Sequence, residues 1–353
     1  MTERRSNAGP EVLGSRGPDV AEVRAGGATA EMTTAVAMNS ALDGALAADP
    51  KVLLLGEDIA DPSGGVFKVT KGLSTRHGAE RVRDTPIAEQ SILGAAIGAA
   101  LGGYRPVAEV MFFDFVTVAM DQLVNHAAKF RYLSGGQHPV PITVRTVVGN
   151  SRFGAQHSQS LEAWFMHTPG IKVAFPSTPS DAKGLLASCV FDDDPCLFVE
   201  HVGLHYSQKE MVPTGDHRVP LGHAAVRRAG DDVTVVSYGA QMPGVLAAAD
   251  TLAAEGISVE VVDLRSLVPL DFPTVLASVA RTRRAVVVHG ATRFAGPGAE
   301  IAATITEELF DDLAQPVVRL GARYVPTPFL ASRLEPLPVS ADVVDAVRRL
   351  AAS

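Results

Sequence analysis

Cysteine is nearly missing from this chain. The two that occur, Cys189 and Cys196, have no metal-type spacing and offer no disulfide framework, which points to a reducing cytoplasm. Positive charge is also short. Lys and Arg number 31 against 39 Asp and Glu, a net charge of -8, so there is no basic footprint for nucleic acid or an anionic membrane. The longest apolar run, Ile92 to Gly103, is too short to span a bilayer, and no secretory signal is visible. The sequence has neither a G-x-S-x-G elbow nor a Walker A loop, which leaves serine hydrolase and P-loop chemistry without support. Residues 1–28 lack apolar periodicity and contain Glu3, Glu11, Asp19 and Glu22, a pattern that argues against a transit peptide and predicts a disordered tail.

What is present is ample core. The 353 residues are 46% hydrophobic, enough for two domains. Helical spacing covers 31–48, followed by a strand-like "KVLLLG" (51–56). Further strands are expected at 106–112, 140–148 and 196–200, with helical patterns at 114–132 and 179–190 between them. Residues 202–228, with Pro213 and Pro220, read as a linker with short edge strands. A second alternation follows: strands at 232–239, 258–267, 284–290 and 316–321, and helices near 242–255, 271–280, 298–310 and 340–351. The fold class is therefore α/β, as two doubly wound domains of mostly parallel sheet spanning 29–215 and 216–353.

The stretch "RDTPIAEQSILGAAIGAALGG" (83–103) poses a chemical question. Thr85 suits an N-cap and Pro86 the first helical position, which puts Glu89 in the first turn. The residues after it are Gly, Ala, Ile and Leu on every side, the pattern of a buried helix. Two readings of Glu89 stand: a carboxylate complementing the helix dipole, or a functional carboxyl carried into the interior, where it needs a partner or a proton. A second stretch, "FGAQHSQSLEAWFMHTPG" (153–170), sets His157 among small, amide and hydroxyl residues after a strand. Ligands of parallel sheets bind at the carboxyl ends of the strands. Glu89, "MFFDF" (111–115) and His157 should meet there, although His157 also reads as a loop histidine satisfied locally. "GPGAEI" (296–301) imitates part of a dinucleotide fingerprint, but it is incomplete and reads better as a helix start packed closely on the sheet. His126, His138, His201 and His205 show no metal-ligand spacing and read as loop or surface residues; Asp192–Asp194 reads as a helix-end turn.

Seven segments in order, "LLLGEDIA" (53–60), "DTPIAEQSILGAAIGAALGG" (84–103), "PVAEVMFFDF" (106–115), "DQLVNHAAKFRYLSGG" (121–136), "AQHSQS" (155–160), "PGIKVAFPSTPSDAKGLL" (169–186) and "VEVVDLRSLVPLD" (259–271), carry a resemblance. Together they resemble the β subunit of the heterotetrameric, thiamine-diphosphate-dependent 2-oxo acid dehydrogenases, the E1 component, over about residues 31–350. "MFFDF", "KFRY" and "VEH" look closer to the acetoin and pyruvate type than to the branched-chain type.

The resemblance implies a transketolase-like pyrimidine-binding domain followed by a transketolase C-terminal domain. It implies that Glu89 hydrogen-bonds N1′ of the cofactor's aminopyrimidine and so favours the tautomer that deprotonates the thiazolium C2. By position, Ile87 would line the pyrimidine pocket, Met111 would hold the bent cofactor and Phe115 would stack on the ring. His157 would face the reaction centre. Ile142, Cys189, Val190, Asp192 and Asp194 would form a potassium loop built largely from main-chain carbonyls, which the charged Asp192 and Asp194 suit. The G-D-G…N motif that binds diphosphate and Mg2+ is missing, which implies a separate α subunit and an α2β2 assembly. The implied reaction is decarboxylation of a small 2-oxo acid, or cleavage of an acyloin, with acyl transfer to a lipoyl E2 protein. A two-subunit carboligase without lipoamide and a non-catalytic scaffold are the alternatives. Departures from the family pattern are the 149–155 loop, which is short and poor in glycine, Gly290 in "HGA" where Glu is common, and Tyr324 where Asp is common.

Overall fold

The computed structural model describes residues 27–149, 153–329 and 337–352. The tail expected at 1–28 lies outside the described residues except for its last two, as do Asn150, Ser151 and Arg152 of the shortened loop. The first half runs β1 (Thr29–Thr33), α1 (Thr34–Ala48), β2 (Val52–Gly56), α2 (Leu73–His77), β3 (Val82–Asp84), α3 (Glu89–Leu101) and β4 (Arg105–Val110). A 3-10 turn (Phe113–Ala119) and a π turn (Asp121–Ala127) lead into α4 (Ala128–Leu133). Then come β5 (Thr143–Val148), α5 (Glu162–Met166), β6 (Lys172–Ala174), α6 (Pro179–Val190), β7 (Cys196–His201) and β8 (Lys209–Pro213).

The second half holds β9 (Ala225–Arg228), β10 (Val233–Ser237), α7 (Met242–Ala254), β11 (Val259–Asp263), β12 (Ser266–Val268) and α8 (Phe272–Thr282). It closes with β13 (Ala285–Thr292), α9 (Pro297–Leu309), β14 (Val318–Ala322) and α10 (Ser340–Ala351). Among the described residues no helix is long and apolar enough to cross a membrane.

Two sheets carry the molecule. A seven-stranded sheet has the order β12-β6-β7-β5-β4-β2-β3, parallel except for β12, and a five-stranded sheet has the order β14-β13-β10-β11-β9, parallel except for β9. Central strands such as β5 and β10 are buried along their whole length and rich in Val and Thr, as strands covered on both faces must be. The segment 258–267, expected as one strand, is two. β11 joins the second sheet, but after Arg265, at φ 58°, β12 pairs antiparallel with β6 of the first. The expected helix 31–48 likewise starts at Thr34. The three residues before it belong to β1, which pairs with β8.

Helix α6 forms where expected, with Thr178 as its N-cap and Pro179 in the first turn. Helix α3 does not. It begins at Glu89 rather than at Pro86, because Thr85 N–H donates to Gly56 O (2.9 Å) and extends the sheet by one residue. One face of α3 (Gln90, Ser91, Gly94, Ala95, Gly98) is exposed in this chain, so the helix is not buried all round.

A charge cluster lies beneath the carboxyl ends of the first sheet. Glu109 on β4 and Arg145 on β5 are register partners; Arg145 Nη1 donates to Glu109 (2.7 Å), and Nη2 lies 2.6 Å from Glu200 on β7. His205 pairs with the other Glu200 oxygen at 3.1 Å. Expected as a loop or surface residue, it lies in a turn but is fully buried, because the 3-10 turn after β7 folds it back onto the sheet. Burial pushes the Glu109 carboxyl up against the pull of Arg145, whereas for Glu200 the attraction of Arg145 and His205 outweighs burial and holds it down. In the second sheet His289 is fully buried and clasped by glycines. A Cβ at Gly296, Gly298 or Gly321 would come within 2.6–2.8 Å of its ring. "GPGAEI" thus starts a helix packed closely on the sheet, and its glycines make room for an imidazole.

Two predictions follow from these buried groups. Arg145→Met strands two facing carboxyls and should cost about 3–5 kcal/mol in urea unfolding; a loss under about 1 kcal/mol means the cluster is not buried as described. Burial drives the His289 pKa down to about 4, below its unfolded value of 6.5, so the unfolded state binds the extra proton between those values. Stability should be full above pH 6.5 and should fall with acidification towards pH 4. In His289→Asn this acid slope should flatten by about 1.4 kcal/mol per pH unit, read from urea midpoints across the window.

Candidate functional site

The strand ends of the first sheet meet at one rim. Glu89 is the first residue of α3, 9% exposed, and among the described residues no side-chain or backbone donor bonds its carboxylate. Its neighbour is Glu57, which directly follows β2. Glu57 is 8% exposed, receives the Ala88 N–H and leaves Oε1 without a partner. Burial, and then the charge of Glu89, push the Glu57 carboxyl up. The signal that could have identified Glu57 was its place in "LLLGED", a carboxyl directly after a buried strand.

Next to this pair runs the turn after β4. Met111 is partly buried; Phe112 is buried, and Phe115 is partly buried. The His157 ring meets Phe112 edge-on at 4.9 Å and Phe115 edge-on at 5.2 Å. Phe112 also touches Phe67 (5.6 Å), and Phe67 meets the His205 ring (5.5 Å) above the charge cluster. The turn is tied to the His157 segment by Asp114, which accepts from Gln159 Nε2 (2.7 Å). Ile92, Leu93 and Ile97 of α3 share one apolar cluster with Phe113, Val116 and Ala119, so the helix and the turn are positioned by the same core. The geometry therefore brings Phe115 and His157 into contact and sets Glu89 against Glu57. Ile87 stands apart, 83% exposed on the loop before α3, and none of the described residues covers it. Phe67 was not anticipated as a site residue, since it reads in sequence as an ordinary core residue, whereas Phe112 and Asp114 belong to the expected "MFFDF".

The residues of the expected potassium loop lie together at the end of α6, and several of their oxygens already accept hydrogen bonds. Ile142 O accepts from Cys196 N (2.9 Å), and Cys189 O accepts from Asp192 N (3.2 Å). Both Asp192 carboxylate oxygens bind Lys172 Nζ at 2.7 Å, its carbonyl accepts from Arg105, and Asp194 pairs with Arg131 at 2.5 Å. Val190, the remaining member, is buried in the last turn of α6. The Asp192 and Asp194 carboxylates thus neutralise protein cations, which leaves the main-chain carbonyls as the expected ligands. Among the described residues no group of three His, Cys, Asp or Glu could hold a metal ion. His126 and His138 are exposed, as expected.

Buried carboxyls at a helix start, facing aromatic rings at an open rim, fit the aminopyrimidine half of thiamine diphosphate. Comparison with known proteins shows the family. Residues 30–206 match the family model "Transketolase, pyrimidine binding domain" and residues 222–339 match "Transketolase, C-terminal domain". The chain is 44% identical to the acetoin:2,6-dichlorophenolindophenol oxidoreductase subunit beta of Cupriavidus necator, over 90% of this chain and 97% of that relative. It is 43% identical to the pyruvate dehydrogenase E1 component subunit beta of Bacillus subtilis (91% and 99% covered). It is 45% identical to the 3-methyl-2-oxobutanoate dehydrogenase subunit beta of Mycobacterium tuberculosis (91% and 92% covered). A solved split-gene transketolase, an inactive β4 tetramer, shares the fold with a TM-score of 0.71 at 23% identity, covering 91% of this chain and 98% of its own. The chain belongs to the family of 2-oxo acid dehydrogenase E1 β subunits, built from a transketolase-type pyrimidine-binding domain and a transketolase C-terminal domain.

Proposed function

We propose that this chain supplies the aminopyrimidine half of a split thiamine diphosphate site, in an E1 that acts on a small 2-oxo acid or acyloin and delivers the acyl group to a lipoyl E2 protein. The observation that carries the reading is the buried Glu89 carboxylate, set against Glu57 at the start of α3 with no donor of its own. Burial and the neighbouring charge push the Glu57 carboxyl up, and Glu89 is left open to the place where N1′ of the aminopyrimidine would sit. When bound, thiamine diphosphate supplies the carbon nucleophile and the electron sink that 2-oxo acid cleavage requires.

The rest of the task falls to this chain's side chains. Glu89 binds N1′ and holds the ring's tautomer, while Phe115 offers a stacking face and Met111 borders the cofactor. His157, held edge-on by Phe112 and Phe115, orients the substrate carboxylate or carbonyl and moves a proton at that oxygen. Diphosphate and Mg2+ fall to an α subunit, because the sequence lacks the G-D-G…N motif. The exposed Ile87 and the small-residue face of α3 lie at the same rim and suit close approach of that subunit.

Co-purified with its α subunit, Glu89→Ala should leave the complex assembled but reduce turnover by roughly 10²- to 10⁴-fold; turnover like that of the wild type would sink the reading. In calorimetry, thiamine diphosphate with Mg2+ should titrate into the α–β complex and not into this chain alone. Tight binding to the isolated chain would show that the site is not split.

A further inference from the structure

Between the two sheets lies a cavity of about 120 Å³ that the catalytic reading does not use. The first sheet and its loops contribute Ser158 to Leu161, Phe175 and His201; the second contributes Tyr238, Gln241, Gly290, Thr292, Arg323 and Thr327. Its polarity is one-sided. The described lining contains a single cation, Arg323, and no Asp, Glu or Lys. His201 Nδ1 accepts the Gly203 N–H at 3.0 Å, so its lone pair is used there and the neutral ring carries its proton on Nε2, as a donor. Burial favours that neutral form. The carboxylate behind the wall, Glu162, is fully buried and is already bonded by Tyr238 Oη (2.7 Å) and Ser160 Oγ (2.8 Å), so it does not line the space.

Gly290 keeps the space open. A Cβ there would lie 3.7 Å from Gln241 Nε2 and 3.8 Å from Ser160 Oγ, ordinary contact distances, so a longer side chain would point into the cavity rather than clash with its wall. Leu161, Phe175 and Tyr238 make the remaining surface apolar. Arg323, exposed at the mouth, a donor imidazole and amide and hydroxyl groups, together with apolar side chains, suit an anion with a short hydrocarbon tail. An engineered apolar cavity of about 150 Å³ holds benzene, so this one takes about five or six heavy atoms.

We infer that the interdomain cavity is a binding site for a free short-chain carboxylate, held by Arg323 and His201 with its tail against Phe175. The site is distinct from the Glu89 rim, but it shares the segment that carries His157: Ser158 and Gln159 line the cavity, and Gln159 bonds Asp114 of the aromatic turn. A bound carboxylate therefore ties the His157 segment to the second sheet.

The test is calorimetric titration of sodium propionate into the purified full-length chain without thiamine diphosphate, so that its outcome does not depend on the catalytic reading. Propionamide and inorganic phosphate serve as comparison probes. The expected result is saturable one-to-one binding of propionate, with propionamide weaker by roughly tenfold or more, since a charged hydrogen bond is lost. Gly290→Glu, which places a carboxylate in the cavity, should abolish binding. Arg323→Gln, at an exposed position that leaves folding untouched, should weaken it by roughly tenfold or more. Failure of propionate to saturate, phosphate binding more tightly than propionate, or binding unchanged in Arg323→Gln would each overturn the assignment.

Discussion

Glu109, Arg145 and Glu200 are charged, almost out of reach of water and carried on three adjacent strands, so β4, β5 and β7 can pair only in the register that lets one guanidinium meet both carboxylates. Any slip would leave a buried charge alone, a far larger loss than a misplaced valine. The site is built upward from this cluster. His205 closes it, the His205 ring supports Phe67, Phe67 supports Phe112, and Phe112 supports His157. The position of the imidazole at the rim therefore rests on an ion cluster beneath the aromatic layer.

The two halves of the chain are less separate than their alternating patterns suggest. β12 leaves the second half to pair with β6 at the edge of the first sheet, and Ser177 of the first half donates to Asp263 at the end of β11 (2.5 Å). Arg227 joins the same junction through Asp181 and Asp263. This interlock holds the sheets in a fixed relation and encloses the polar cavity between them. It also makes the second half a wall for the segment that carries His157, not a distant appendage.

Much of this was legible in sequence. The 3.6 and 2.0 periodicities marked α6, α7, α9 and α10 and the central strands, because those elements bury a face of regular spacing. The short pieces β3, β6 and α5 carry too few residues for any period to emerge. α3 was anticipated, but its start was not. Thr85 and Pro86 have good local chemistry for a helix start, and a single sheet hydrogen bond to Gly56 overrides it. Glu89 and His157 stood out because a polar residue amid small or apolar ones is conspicuous. Phe112 was marked only as part of "MFFDF", although it touches more of the site's rings than Phe115 or His157.

By itself the sequence determined the α/β class, the family, and the presence of a carboxyl and an imidazole at strand ends, because each depends on local pattern or ordered motifs. Only the tertiary structure decided that Glu57 neighbours Glu89, that His205 is a core residue and that the Asp192 and Asp194 carboxylates neutralise Lys172 and Arg131. Those outcomes depend on which side chains meet across elements far apart in the chain. A charge run has the same spelling whether its partner is a bound ion or a lysine twenty residues away, and the desolvation that forces the choice exists only once the strands have packed.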